Sequence, residues 1–228
     1  MAVDQHGSVR SQSPIDVRVP APGEAVGVAE PTAGNERLTA LAGSVLLIPL
    51  AVVGVTLIQL RPLLSVHFFV GTMLIGPVAL KLATTGYRFV RYYTGDLVYR
   101  RKGPPPAPLR VIAPFVVAST VVVLATGVAL LFAGPSSRDA LLPIHKISFF
   151  VWAGFTGLHL LGHLTALPRA LRGDFGGSAS LGEAVPGRNG RLMAVAGAVV
   201  AGAVLAVLTI PQFGAWLHSS GAFGHHHG

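Results

Sequence analysis

A chain of 228 residues that is 51% hydrophobic, only 11% charged and of mean hydropathy +0.62 is too apolar for a soluble domain, and its charges fall between apolar runs of bilayer length. The net charge of +8 does not point to nucleic acid, because most Lys and Arg flank those runs, where they orient a membrane protein. With no cysteine, disulfides, thiolate catalysis, Cys-ligated iron–sulfur clusters and thioether-linked haem are excluded within the chain.

Residues 1–37 mix Gly, Pro, Ser and both charges without periodicity, which predicts a cytoplasmic tail that is flexible or docks a partner. The first span is expected over 38–60, too late for a cleaved signal peptide. Arg61-Pro62 breaks the chain, and 63–87 forms the second span, with His67 near its start and Lys81 near its end. A basic connection over 88–110 holds a proline run, Pro104-Pro105-Pro106, that acts as a stiff spacer.

The third span is expected over 111–132, and the short link 133–142 makes the third and fourth spans antiparallel neighbours. The fourth, about 143–167, opens at Pro143 and carries His145, His159 and His163. A cytoplasmic loop over 168–191 leads to a fifth transmembrane helix at 192–211, rich in Ala, Val and Gly and ended by Pro211. The tail 212–228 contains Trp216, read as an interfacial anchor, and His218 and His225-His226-His227, read as solvent-exposed.

The fold class is therefore all-α, an integral membrane bundle of five transmembrane helices, with a four-helix core over 38–167. Outside the apolar cores, Arg10, Arg18, Arg37, Arg88, Arg91, Arg100, Arg101, Lys102, Arg110, Arg169, Arg172, Arg188 and Arg191 fall on one side of the membrane, and Arg61 and Arg138 on the other. This asymmetry predicts a multi-pass protein of the cytoplasmic membrane, N-terminus inside and C-terminus outside. His67 and His145 then lie near the outer surface, and Lys81, His159 and His163 near the inner one.

The chemistry rests on spacing. His145 and His159 are fourteen residues apart, about 21 Å of helical rise and about 40° of rotation, and His67 and Lys81 repeat that interval. Two helices running in the same direction thus offer nitrogen donors at two shared depths. That arrangement suits planar metal macrocycles held edge-on between helices, with an axial nitrogen from each side. His67 pairs with His145 at the outer level. At the inner level His159 or His163 is the candidate from span four, and only Lys81 is available from span two. Lys81 can alternatively reach the cytoplasmic surface or a haem propionate. Trp152, midway between His145 and His159, either fills the space between two macrocycles or packs on a neighbouring helix.

These residues give the chain a resemblance to the membrane cytochrome b superfamily, including the cytochrome b561-like subunits of hydrogenases and formate dehydrogenases. The resemblance covers about residues 38–167 and marks the general class rather than one family. It implies at least one haem b, and two if both levels are filled, with axial ligands drawn from His67, His145, His159 and Lys81, and His163 as a further candidate. It implies electron transfer between quinone and a redox protein that carries its own cofactor. Lys81 stands where a two-haem pattern would most simply have histidine.

Arg88, Arg91 and Tyr87 are candidates for propionate or quinone contacts, against the simpler reading of a solvated positive-inside loop. No Rossmann glycine fingerprint, Walker loop or His-Glu-x-x-His motif is present, so the chain reads as an electron conduit rather than a complete enzyme, with no catalytic residue of its own. The fifth span could pack on a partner or a second copy, giving a homo-oligomer. The other reading left open is a haem-free membrane scaffold or transporter subunit with structural histidines. The absence of Asp and Glu from the expected spans weighs against a proton or cation path.

Overall fold

The computed structural model describes residues 32–103, 107–164 and 187–221. The tail before residue 32, the proline run 104–106, the loop 165–186 with the expected end of span four, and His225-His226-His227 lie outside the described residues.

Every regular element described is helical. The helices are α1 (Ala33–Ile58), α2 (Leu64–Met73), α3 (Ile75–Tyr93), α4 (Leu97–Lys102), α5 (Ala107–Ala133), α6 (Arg138–Leu164), α7 (Arg188–Thr209) and α8 (Phe213–Gly221), with 3-10 turns at Pro135–Ser137 and Ile210–Gln212. Five stretches are long and apolar enough to cross a bilayer: Ala33–Ile58, Leu64–Tyr93, Ala107–Ala133, Pro135–Gly162 and Arg188–His218.

Most helices begin or end beyond the apolar cores read from sequence, because polar residues can extend a helix past the hydrocarbon. Glu36 and Asp139 occupy first turns, where a negative charge complements the helix dipole. Pro143 consequently lies inside α6 rather than opening it. The Asp96 carboxylate caps α4 by accepting from the backbone N–H of Val98 at 2.9 Å and of Tyr99 at 3.4 Å.

The bundle inverts the pattern of a soluble protein. Large apolar side chains such as Ile58, Phe150 and Met193 point outward, 80%, 71% and 73% exposed, as lipid-facing residues do. The interior holds small and hydroxyl residues, among them Ala42, Thr56, Thr84, Ser119, Ser148 and Ala206. The buried hydroxyls donate to carbonyls of their own helices: Thr56 to Val53 at 2.6 Å, Thr84 to Lys81 at 3.0 Å and Ser119 to Val116 at 3.2 Å.

The second span is interrupted at Leu74, between α2 and α3. Pro77 has no N–H for the Met73 carbonyl, and its ring disfavours a continuous ladder through that turn. The fifth span packs here. A Cβ on Gly76 would run into the Ala198 carbonyl and the Gly202 backbone, and one on Gly202 into the Met73 carbonyl. Two glycines thus let α7 meet span two backbone to backbone. The glycine-rich face of the fifth span is used, at this contact, inside the chain.

Helix α5 packs along α6 as an antiparallel pair, while α1, α2, α3 and α7 pack on one another. The two groups join mainly through α2 and α5, and the backbones of α2 and α6 meet at most at isolated points. At the expected outer end, α8 closes the bundle with Phe213 and Trp216 packed on Leu130 and Leu131, flanked by Leu64, Phe68 and Leu142. The Phe68 ring lies 5.3 Å from Phe213 and 6.1 Å from Trp216. Trp216, only 8% exposed, is therefore a core residue tying three spans together.

Candidate functional site

His67 sits in the first turn of α2, just after the break that reverses the chain from α1. That hairpin brings its imidazole to Thr56, with Nδ1 2.9 Å from Oγ1. His145, on α6 after the turn from α5, makes the matching contact, with Nδ1 3.0 Å from Thr126 Oγ1. Both imidazoles are half-buried. The histidines expected to pair across spans two and four thus each follow a chain-reversing turn and lie toward the start of their helices.

The surroundings of His145 are built closely. Thr126 Oγ1 lies 2.9 Å from the Val122 carbonyl and 3.1 Å from Ser148 Oγ, while Ser148 donates to the His145 carbonyl at 2.8 Å. Gly127 faces the ring, where a Cβ would lie 3.1 Å from Cε1. Beside this position, α3 and α5 leave an open apolar groove of about 480 Å³ lined by Ile75, Val78, Ala79, Ala125 and Val128.

The inner level is arranged differently. Lys81 does share a face with His67, but that face is turned to α1, where Nζ donates to the Thr39 carbonyl at 2.7 Å. A Cβ on Gly43 would lie 3.0 Å from Nζ, so this glycine makes room for the amine. His159 is half-buried on α6; His163 falls within α6, and its side chain lies outside those described. Trp152 turns to α5 and donates through Nε1 to Thr120 Oγ1 at 3.0 Å, while Phe155 stacks on Phe115 at 5.1 Å. Trp152 is thus engaged with span three.

The candidate propionate or quinone contacts have protein partners. Arg88 pairs with Glu36 at 3.7 Å, and Arg91 pairs with Asp96 and lies 5.9 Å from the Tyr87 ring centroid. Tyr87, 51% exposed, meets Tyr99 edge-on at 6.1 Å. Burial, reinforced by Tyr87 and opposed by Arg91, raises the Tyr99 phenol above its ordinary value and keeps it neutral. The charges at this end tie the spans together: Asn35 also donates to the Thr84 carbonyl at 3.2 Å.

Reading the sequence missed Thr56, Thr126, Ser148 and Gly127. The available signal was a hydroxyl residue within an apolar span, on the helix preceding each histidine. Among the described residues no group of three or more His, Cys, Asp or Glu converges to hold a bare metal ion. A porphyrin supplies four equatorial nitrogens itself, so a haem asks only for an axial pair. No family model, curated protein or solved structure matches the chain.

Proposed function

We propose that this five-span membrane protein is a b-type haem electron-transfer subunit, with His67 and His145 as the axial pair, passing electrons between the quinone pool and a partner redox protein. The observation that carries this reading is a pair of half-buried imidazoles, each in contact through Nδ1 with a threonine of the preceding helix, on spans whose backbones scarcely touch. Helices that packed directly would leave no width for a macrocycle, and α2 and α6 do not pack along one another. When bound, the haem supplies reversible one-electron chemistry at its iron.

The chain's own residues do the rest. The α1–α2 and α5–α6 hairpins set the two imidazoles at one depth, and no hydrogen bond among the described residues engages either Nε2. Tyr87 and Arg91, exposed at the opposite end of the second span, form the surface offered to a quinone headgroup or partner. Flavin, molybdenum or iron–sulfur chemistry belongs to that partner.

The reading asks for one haem. A second would fall to His159 with Lys81, and support there is thinner, since Lys81 is bonded to Thr39 and its opposite ligand is undetermined between His159 and His163. The rival reading, a haem-free scaffold or transporter subunit, draws on the threonine bonds that satisfy one nitrogen of each ring. Those bonds leave the second nitrogen of each ring unused.

The test is optical. Protein purified from haem-supplied cells should show a Soret band and, on dithionite reduction, sharp alpha and beta bands of low-spin haem b. Folded, colourless protein would favour the scaffold.

A further inference from the structure

We infer that Thr56 and Thr126 are positioning residues that hold His67 and His145 in the same tautomer, with the proton on Nδ1, so that both rings keep an Nε2 lone pair for one shared ligand. The sharing of a ligand rests on the haem reading above; the tautomers do not.

The argument is a count of protons. A threonine hydroxyl has one proton to donate and lone pairs to accept with. Thr56 has the Val53 carbonyl at 2.6 Å to take its proton, which leaves its oxygen to accept from His67 Nδ1 at 2.9 Å. Thr126 has the Val122 carbonyl at 2.9 Å and the Val123 carbonyl at 3.1 Å to take its proton. Toward His145 Nδ1 at 3.0 Å, Thr126 is again the acceptor.

Hydroxyls that bond back to their own helix are ordinary inside membranes. A further contact, to an imidazole, from the helix preceding each of the two histidines is not explained by that habit. In an apolar interior the arrangement is firm, since moving the proton to Nε2 would strand it without an acceptor among the described residues and break the bond to threonine. Gly127 completes the design at His145 by leaving space for the ring. A metal-binding imidazole needs this: its second nitrogen held by an outer partner, the first free to bind.

The test uses full-length protein labelled with 15N-histidine and reconstituted in bilayers without added haem, the tautomers being read by solid-state NMR. Wild type, Thr56→Ser and Thr126→Ser should show Nδ1–H at both histidines. Thr56→Val should lose that signature at His67 alone, and Thr126→Val at His145 alone. An Nε2–H form in the wild type, or valine variants with unchanged tautomers, would overturn the inference; the wild-type spectrum decides even where a valine variant does not fold. Haem retention, measured separately, should fall about tenfold in each valine variant and recover in the serine variant. The expected tautomers in a chain that never takes up haem would uphold the positioning role and sink the haem reading alone.

Discussion

Gly127 lies against the His145 imidazole so closely that a Cβ there would stand 3.1 Å from Cε1. The ring therefore occupies a place that span three has left vacant for it, and the fit has a graded consequence. Gly127→Ala asks the ring to yield by a few tenths of an ångström and should lower haem retention modestly. Gly127→Leu fills the place and should abolish retention while leaving membrane insertion and helicity intact. Equal haem in both variants, assayed as the Soret to protein ratio, would show that His145 does not need this position.

The contact between Gly76 and Gly202 predicts a stability defect away from the histidines. Either residue changed to Ala forces a Cβ into backbone of the facing helix, which cannot yield as a side chain can. Overpacking of this kind costs about 1–3 kcal/mol. Thermal unfolding in detergent should show a lowered midpoint for both variants, and a wild-type midpoint would place the fifth span elsewhere.

Lys81 is held by the Thr39 carbonyl at 2.7 Å, toward α1. With a single haem at His67 and His145, Lys81→Met should leave haem content and the low-spin EPR signals unchanged. Disappearance of one of two signals would instead make Lys81 an axial ligand at a second haem, with His159→Ala or His163→Ala identifying its opposite.

The absence of cysteine makes the topology directly testable. A single cysteine at Ser136, in the turn between α5 and α6, should react with an impermeant maleimide added to intact cells. One at Arg101, exposed on α4, should react only after permeabilisation. The opposite pattern would invert the orientation read from the Lys and Arg distribution.

The five spans were legible because apolar runs of bilayer length leave few alternatives. Other features depend on tertiary contacts that spacing does not encode. The fourteen-residue interval correctly placed His67 and Lys81 on one face, but only packing shows that this face meets α1. Trp216 read as an interfacial anchor because a terminal tryptophan after a span ordinarily is one; packing on Leu130, Leu131 and Phe213 buries it instead. Arg88 and Arg91 read as loop cations because their acids, Glu36 and Asp96, are supplied by a different helix and by the following turn.

The central claim is that two imidazoles at one membrane depth share a haem. Its most direct measurement is a pyridine haemochrome assay with quantitative amino-acid analysis on wild type, His67→Ala and His145→Ala, all expressed with haem supplied and checked for folding. The account predicts one haem b per wild-type chain and loss of that haem in each single variant. Full-length, folded wild type without haem, or haem retained in either single variant, would contradict it.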